Sequence, residues 1–87
     1  MGRIPDGTLI APSLLGCDHG LLREAAVRME AAGADMIHLD VMDGVFVPVL
    51  TFGAGVAESV CRAVSIPVDA HLMVSRPARL VDAFADA

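Results

Sequence analysis

The sequence predicts an α/β fold in which parallel strands alternate with helices. Hydrophobic residues make up 55% of the 87 residues, and they are almost all aliphatic, because there are three Phe and neither Trp nor Tyr. Aliphatic, β-branched segments are typical of strands that are buried in a parallel sheet. Strand-like and helix-like segments also follow one another three times with short connections. Such alternation indicates parallel strands joined by helical crossovers.

Three short apolar segments are the predicted strands: residues 9–15, 36–42 and 68–74. Pro12 interrupts the first of them, so we expect its carboxyl end to break into a loop. Pro67 cannot continue the preceding helix and opens the third strand.

A helix is predicted after each strand. Asp18 is the expected N-cap of the first helix, which Gly33 ends, and Pro77 is expected in the first turn of the last helix. Both cysteines, Cys17 and Cys61, are expected to be buried as small apolar residues. The helical residues expected to face the core are Leu21 or Leu22, Ala25, Met29, Ala32, Val56, Ala57, Val60, Cys61, Val64, Leu80, Val81 and Phe84.

The length fits part of a larger α/β architecture. A complete (β/α)8 TIM barrel takes about 250 residues, or about 31 for each β/α unit. The 87 residues therefore correspond to almost three units, and three parallel strands leave faces and edges that need covering. The predicted fold is the first three β/α units of a truncated (β/α)8 barrel. Because the chain begins with Met, we expect the missing part to be C-terminal.

The charge, the apolar segments and the cysteines indicate which partners and which cellular location to expect. Six Lys and Arg stand against eleven Asp and Glu, which gives a formal net charge of −5. A chain without a basic stripe is not expected to bind nucleic acid. Apolar segments shorter than about 18 residues predict no membrane span. The two cysteines follow no metal-binding or redox spacing, and this favours a reducing compartment, so the predicted location is the cytoplasm.

Polar side chains share one face of the second and third predicted strands. Alternation along the second strand places His38 and Asp40 on the face opposite the helices, and along the third it places Asp69 and His71 there. Neighbouring strands lie about 4.8 Å apart, so His38, Asp40 and His71 are expected to converge. Imidazole and carboxylate ligands together suit Zn, Fe, Mn or Co as a divalent metal ion.

A structural role for these residues is the alternative. A histidine in a strand is commonly a hydrogen-bonded core residue, although two such histidines beside an acid need a reason to be there. Asp69 could orient His71, or it could be a polar residue at the bottom of the barrel. Asp43 and Gly44, after the second strand, are predicted to be turn residues.

Three segments resemble the first three units of ribulose-phosphate 3-epimerases: IAPSLLGCD, AGADMIHLDVMDGVFVPVLTFG and IPVDAHLMVSRPARLVDAFADA. The resemblance covers residues 9–87, and its most specific parts are HLDVMDG-x-FVP and HLMV. It implies that residues 1–87 are part of a ribulose-phosphate-binding TIM barrel. It also implies an isomerase of the pentose phosphate pathway that interconverts D-ribulose 5-phosphate and D-xylulose 5-phosphate.

The resemblance also implies the roles of particular residues. His38, Asp40 and His71 match three of the family's four metal ligands. Asp40 matches a catalytic aspartate that removes the C3 proton, while the metal stabilises a cis-enediolate. A second aspartate, later in the family's chain, returns a proton to the opposite face. The residues that match substrate contacts are Ser13, His71, Met42 and Met73.

Other functions are compatible with the same motifs. An allulose 6-phosphate 3-epimerase shares them, and a non-catalytic half-barrel that persists by self-association would retain them. The expected partner is a small phosphorylated sugar, and a homo-oligomer is compatible with the sequence. We predict that the isolated chain of 87 residues has no epimerase activity, because the second acid and the phosphate site are not among its residues.

Overall fold

The computed structural model describes residues 7–87 and has a mixed α/β architecture, which confirms the α/β part of the predicted fold. Two short 3-10 turns, His19–Leu21 and Pro77–Arg79, precede the first and last helices. The helices and strands are, in chain order, α1 (Leu22–Ala31), β1 (Ile37–Met42), α2 (Ala54–Ala63), β2 (Val68–Met73) and α3 (Val81–Ala85).

The two strands form a parallel pair, and α2 is the crossover between them. Their register runs from Ile37 opposite Val68 to Met42 opposite Met73 without a bulge. Each residue of β1 therefore has a partner on β2 at the same distance along the sheet. This register decides which polar side chains meet.

The predicted strand over residues 9–15 is wrong. Ser13 forms an isolated parallel bridge with His38, and the segment runs beside β1 without becoming a strand. The backbone N–H of Met36 donates to Ile10 O at 3.3 Å. The reciprocal bond that would extend the ladder requires an N–H on Pro12, which proline lacks. The sheet described in residues 7–87 thus has two strands, and the three β/α units of a barrel stay a prediction.

The first helix ends as predicted, and the predicted cap Asp18 lies at the 3-10 turn before it and not at the start of α1 itself. The Asp18 side chain accepts a hydrogen bond from Gly20 N at 2.8 Å, so it caps the short turn that leads into α1. Gly33 has a φ of +102°, the left-handed conformation that ends many helices. Of the two alternatives, Leu22 is buried and Leu21 is exposed.

The core lies between the helices and one face of the sheet. Three alternate residues of β1 are buried there, where they meet small residues of the two long helices and Leu14, Phe52 and Val74 from the connecting segments. The buried residues are Leu14, Leu22, Ala25, Ala26, Ile37, Leu39, Val41, Phe52, Ala57, Val60 and Val74.

Some residues predicted to be buried are exposed. Cys61 and Val81 each follow a residue that packs into or against the core, and one helical step turns a side chain by about 100° toward solvent. Ala32 lies past the end of α1 and is exposed as well. Cys17 is half-buried and packs against the core. In the last segment Leu80 and Phe84 pack against the core as predicted.

Candidate metal centre

The sheet face turned away from the helices brings together His38, Asp40 and His71. One ligand atom from each side chain lies within 4.8 Å of the other two. The register causes this, because Asp40 is directly opposite His71 and His38 is two residues earlier on the same strand. The structure thus juxtaposes the three residues that the sequence proposes as metal ligands.

The distances within this cluster suit a shared cation. His38 Nε2 lies 3.0 Å and His71 Nδ1 lies 3.7 Å from the same oxygen, Asp40 Oδ1. Two ligands that are each about 2.1 Å from a metal, at tetrahedral or octahedral angles, are about 3.0–3.4 Å apart. The 3.0 Å contact matches this spacing, and the 3.7 Å contact requires the His71 ring to move closer. Two imidazole nitrogens and one carboxylate oxygen are a donor set that suits a divalent transition metal.

Ser13 fixes the other oxygen of the Asp40 carboxylate. Its hydroxyl donates to Asp40 Oδ2 at 2.6 Å and accepts from Leu15 N at 3.1 Å. This bond from Ser13 is the main cause of a lowered pKa of Asp40; burial opposes it, and the contacts with His38 and His71 add to it. The carboxylate is thus held ionised, which is the form that a metal ligand or a general base requires. The role of Ser13 in binding substrate stays a prediction.

Asp69 contacts His38 and not His71. The sequence left open whether Asp69 orients His71, but the register places it opposite His38, with Asp69 Oδ2 2.8 Å from His38 Nδ1. Burial of the imidazole works to lower the pKa of His38, but the hydrogen bonds to Asp69 and Asp40 outweigh it and raise that pKa. His38 therefore lies between two carboxylates, one at each ring nitrogen.

Met42 and Met73 are directly opposite each other at the carboxyl ends of the two strands. Both are half-buried, so they present a partly apolar surface two residues beyond Asp40 and His71. This position is consistent with the predicted contact to substrate and leaves that contact a prediction.

Thr51 is a residue that sequence reasoning missed. Its hydroxyl donates to the backbone O of Asp40 at 2.7 Å and accepts from Met42 N at 2.9 Å. It therefore fastens the long loop after β1 back onto the strand that carries two of the three ligands. A threonine in a loop gives no sequence signal for this contact.

Asp43 joins the loops that follow the two strands. Its Oδ1 accepts from Val45 N and Phe46 N, both at 2.8 Å, and its Oδ2 accepts from Ser75 N at 2.9 Å. These backbone bonds lower the pKa of Asp43 to about 2, and the bond from Ser75 has the largest effect. Gly44 beside it has a φ of +76°, so both residues form a turn as predicted.

A parallel α/β sheet with an imidazole and carboxylate cluster on its open face defines a candidate metal-binding enzyme. Residues 9–87 match the model of the ribulose-phosphate 3 epimerase family. The chain therefore belongs to that family. None of the helices in residues 7–87 is long and apolar enough to cross a membrane.

Curated relatives carry the same name. The chain is 54% identical over 78 residues to the ribulose-phosphate 3-epimerase of Treponema pallidum, an alignment that covers 90% of this chain and 36% of the relative. It is 44% identical over 81 residues to that of Chlamydia muridarum, covering 93% and 36%. It is 45% identical over 78 residues to that of Bacillus subtilis, covering 90% and 36%. The chain thus spans about a third of the length of these relatives.

Proposed function

We propose that this chain supplies the metal-binding and proton-abstracting part of an enzyme that inverts C3 of a ketose phosphate. The reaction would interconvert D-ribulose 5-phosphate and D-xylulose 5-phosphate through an enediolate. The observation that carries the proposal is the convergence of His38, Asp40 and His71 on one face of the sheet, in a chain that belongs to an epimerase family.

Each residue of the cluster has a separate task in this proposal. His38 and His71 hold the cation, and Asp40 both ligates it and accepts the proton from C3. Ser13 keeps the second carboxylate oxygen of Asp40 in place at 2.6 Å. When bound, the divalent ion supplies a Lewis acid that stabilises the negative charge developing on the substrate oxygens beside C3.

The surroundings of the cluster would control access to it. The half-buried side chains of Met42 and Met73 present apolar surface next to Asp40 and His71. We propose that they pack against the planar intermediate and exclude water from it. The donor set is compatible with Zn, Fe, Mn or Co.

Inversion needs a second acid on the opposite face of the planar intermediate. We expect this acid, the fourth metal ligand and the phosphate-binding loops in the two thirds of the relatives' length that the chain does not match. The proposal therefore includes the prediction that the 87 residues alone do not turn over ribulose 5-phosphate. Turnover by the purified chain with metal added would contradict it.

The names of the relatives favour ribulose 5-phosphate over allulose 6-phosphate as the substrate. A phosphorylated sugar is then the partner of the site. Self-association and a cytoplasmic location stay predictions.

A chimera tests the proposal. Residues 9–87 would replace the matched segment of the Treponema pallidum relative, with which they share 54% identity. We expect the purified chimera to bind metal, to epimerise ribulose 5-phosphate, and to exchange the C3 proton with solvent deuterium. Asp40→Asn should abolish both reactions, since an amide accepts no proton from C3.

The matched control is Asp82→Asn, which changes an exposed carboxylate on α3 and should leave activity unchanged. A folded, metal-loaded chimera without epimerase activity would overturn the proposed function. Retention of full activity in Asp40→Asn would overturn the role of Asp40.

A further inference from the structure

We infer that Asp69 is a positioning residue that presents Nε2 of His38 to the cation, an inference that rests on the proposed metal site. Asp69 is not among the proposed ligands. It lies on β2 directly opposite His38, and its Oδ2 is 2.8 Å from His38 Nδ1. The carboxylate therefore accepts a hydrogen bond from the ring nitrogen that is not directed at the cluster.

Because imidazole is a rigid ring, the contact at Nδ1 also determines where Nε2 lies. Nδ1 and Nε2 are the two nitrogens of one rigid ring, so a hydrogen bond at Nδ1 fixes both the proton and the orientation of the ring. Nδ1–H donates to Asp69, and the ring is thereby turned so that Nε2 faces Asp40 Oδ1, 3.0 Å away, where a bound cation would replace the Nε2 proton. A carboxylate behind a ligating histidine also makes that histidine a better electron donor.

His71 provides an internal comparison. Its side chain is 59% exposed, and within residues 7–87 its ring makes no hydrogen bond, only the 3.7 Å approach of Nδ1 to Asp40 Oδ1. The two histidines of the site therefore differ without a cation: a hydrogen bond to Asp69 fixes the ring of His38, and no such bond within the described part of the chain fixes the ring of His71. The pair of His38 and Asp40 is thus preorganised to hold a cation, whereas His71 is not.

A plain surface ion pair is the competing explanation, since the Asp69 side chain is 52% exposed. Exposed ion pairs contribute little to stability, and a pair of that kind would not set the affinity of the site for metal. The two explanations differ in one measurable respect. A positioning role changes the affinity for metal, and a surface pair leaves it unchanged.

The test compares Co²⁺ binding by the chimera described above, taken as the wild type, and by its variants, followed by visible absorption and by calorimetry. Asp69→Leu removes the acceptor, and we expect a 10- to 100-fold weaker affinity for Co²⁺. Asp69→Asn keeps an oxygen that accepts from Nδ1–H without the charge, so its loss should be smaller. Asp82→Asn, an exposed carboxylate remote in sequence, is the matched control and should bind as the wild type does.

A second readout reports on the ring itself. In the zinc-loaded chimera, ¹⁵N NMR of His38 should show zinc at Nε2 and a proton at Nδ1 that exchanges slowly with solvent. Asp69→Leu should lose the slow exchange, and Asp69→Asn should retain part of it. If Asp69→Leu does not fold, the near-isosteric Asp69→Asn decides the question by both readouts.

The outcomes separate this inference from the proposed function. If the wild type binds Co²⁺ and His38→Ala does not, but Asp69→Leu binds as tightly as the wild type, the role of Asp69 is overturned and the metal site stands. If neither the wild type nor Asp82→Asn binds Co²⁺, the site and the inference both fail.

Discussion

The two faces of the β1–β2 sheet have opposite characters, although residues of the two faces alternate along the same two strands of six residues each. On the helix side, Ile37, Leu39 and Val41 are buried with Val60 and Ala26 of the helices. On the other side, every second residue is polar or methionine and is at least partly accessible. Backbone alternation alone separates them.

The difference shows how a short strand can serve stability and chemistry at once. Burial of aliphatic side chains stabilises the strand, because each one removes apolar surface from water. Once the strand is fixed, its other face holds His38 and Asp40 at a set distance without contributing to the core. Substitutions on the two faces should therefore have separable consequences.

The largest effect on folding is expected on the buried face. Leu39 is 0% exposed, and Leu39→Ala should lower the free energy of unfolding by about 2–5 kcal/mol, because it leaves a cavity in the core. Urea denaturation measures it. The control is Val45→Ala, where the side chain is 76% exposed and the expected change is within about 0.5 kcal/mol. Equal losses in both variants would show that the helix side is not the core.

Substitutions on the sheet face turned away from the helices should change the amount of metal that the protein binds. In the chimera, His71→Ala is expected to lose bound metal on elemental analysis, since it removes one of three nitrogen and oxygen ligands of the cluster. The unfolding free energy of the metal-free protein should change by less than about 0.5 kcal/mol, because the imidazole is 59% exposed. Unchanged metal content would count against the assignment of His71.

The smallest effect concerns the loops at the carboxyl ends of both strands. The pKa of Asp43 is lowered from 3.8 to about 2 in the folded chain, so its contribution to stability is present above pH 3.8 and is lost as the pH falls to about 2. Asp43→Asn should lower stability at neutral pH and flatten its pH dependence in that range, measured by urea denaturation. Asp82→Asn should keep the pH dependence of the wild type. If Asp43→Asn kept it too, the pH dependence between about 2 and 3.8 would not arise from Asp43.

The faces on which side chains lie follow from local alternation and could be predicted, and with them the convergence of the three proposed ligands. The exact pairs across the two strands depend on a register that the sequence does not fix. Alternation in β1 was enough to place His38 and Asp40 opposite the buried residues. The partner of Asp69 was not predictable, because a shift of the strands by two residues would exchange His38 for Asp40.

Long-range hydrogen bonds to backbone groups also leave no pattern in the sequence. Asp43 reaches Ser75 across 32 residues, and Glu30 accepts from Ser65 N and Oγ across 35. The first strand was predicted wrongly for a related reason. Pro12 was expected to break only the end of the strand, but the missing N–H stops the ladder at the bridge between Ser13 and His38.

X-ray absorption of the zinc-loaded chain tests the central claim most directly. The chain has three histidines. The third, His19, packs against Phe52, with ring centroids 4.9 Å apart, and is not one of the three residues of the cluster. His19→Phe, in protein without a histidine tag, leaves His38 and His71 as the sole imidazoles. Our account predicts two imidazole nitrogens and carboxylate oxygen around zinc at about 2.0–2.2 Å. A spectrum with oxygen scatterers and no imidazole contribution would contradict it.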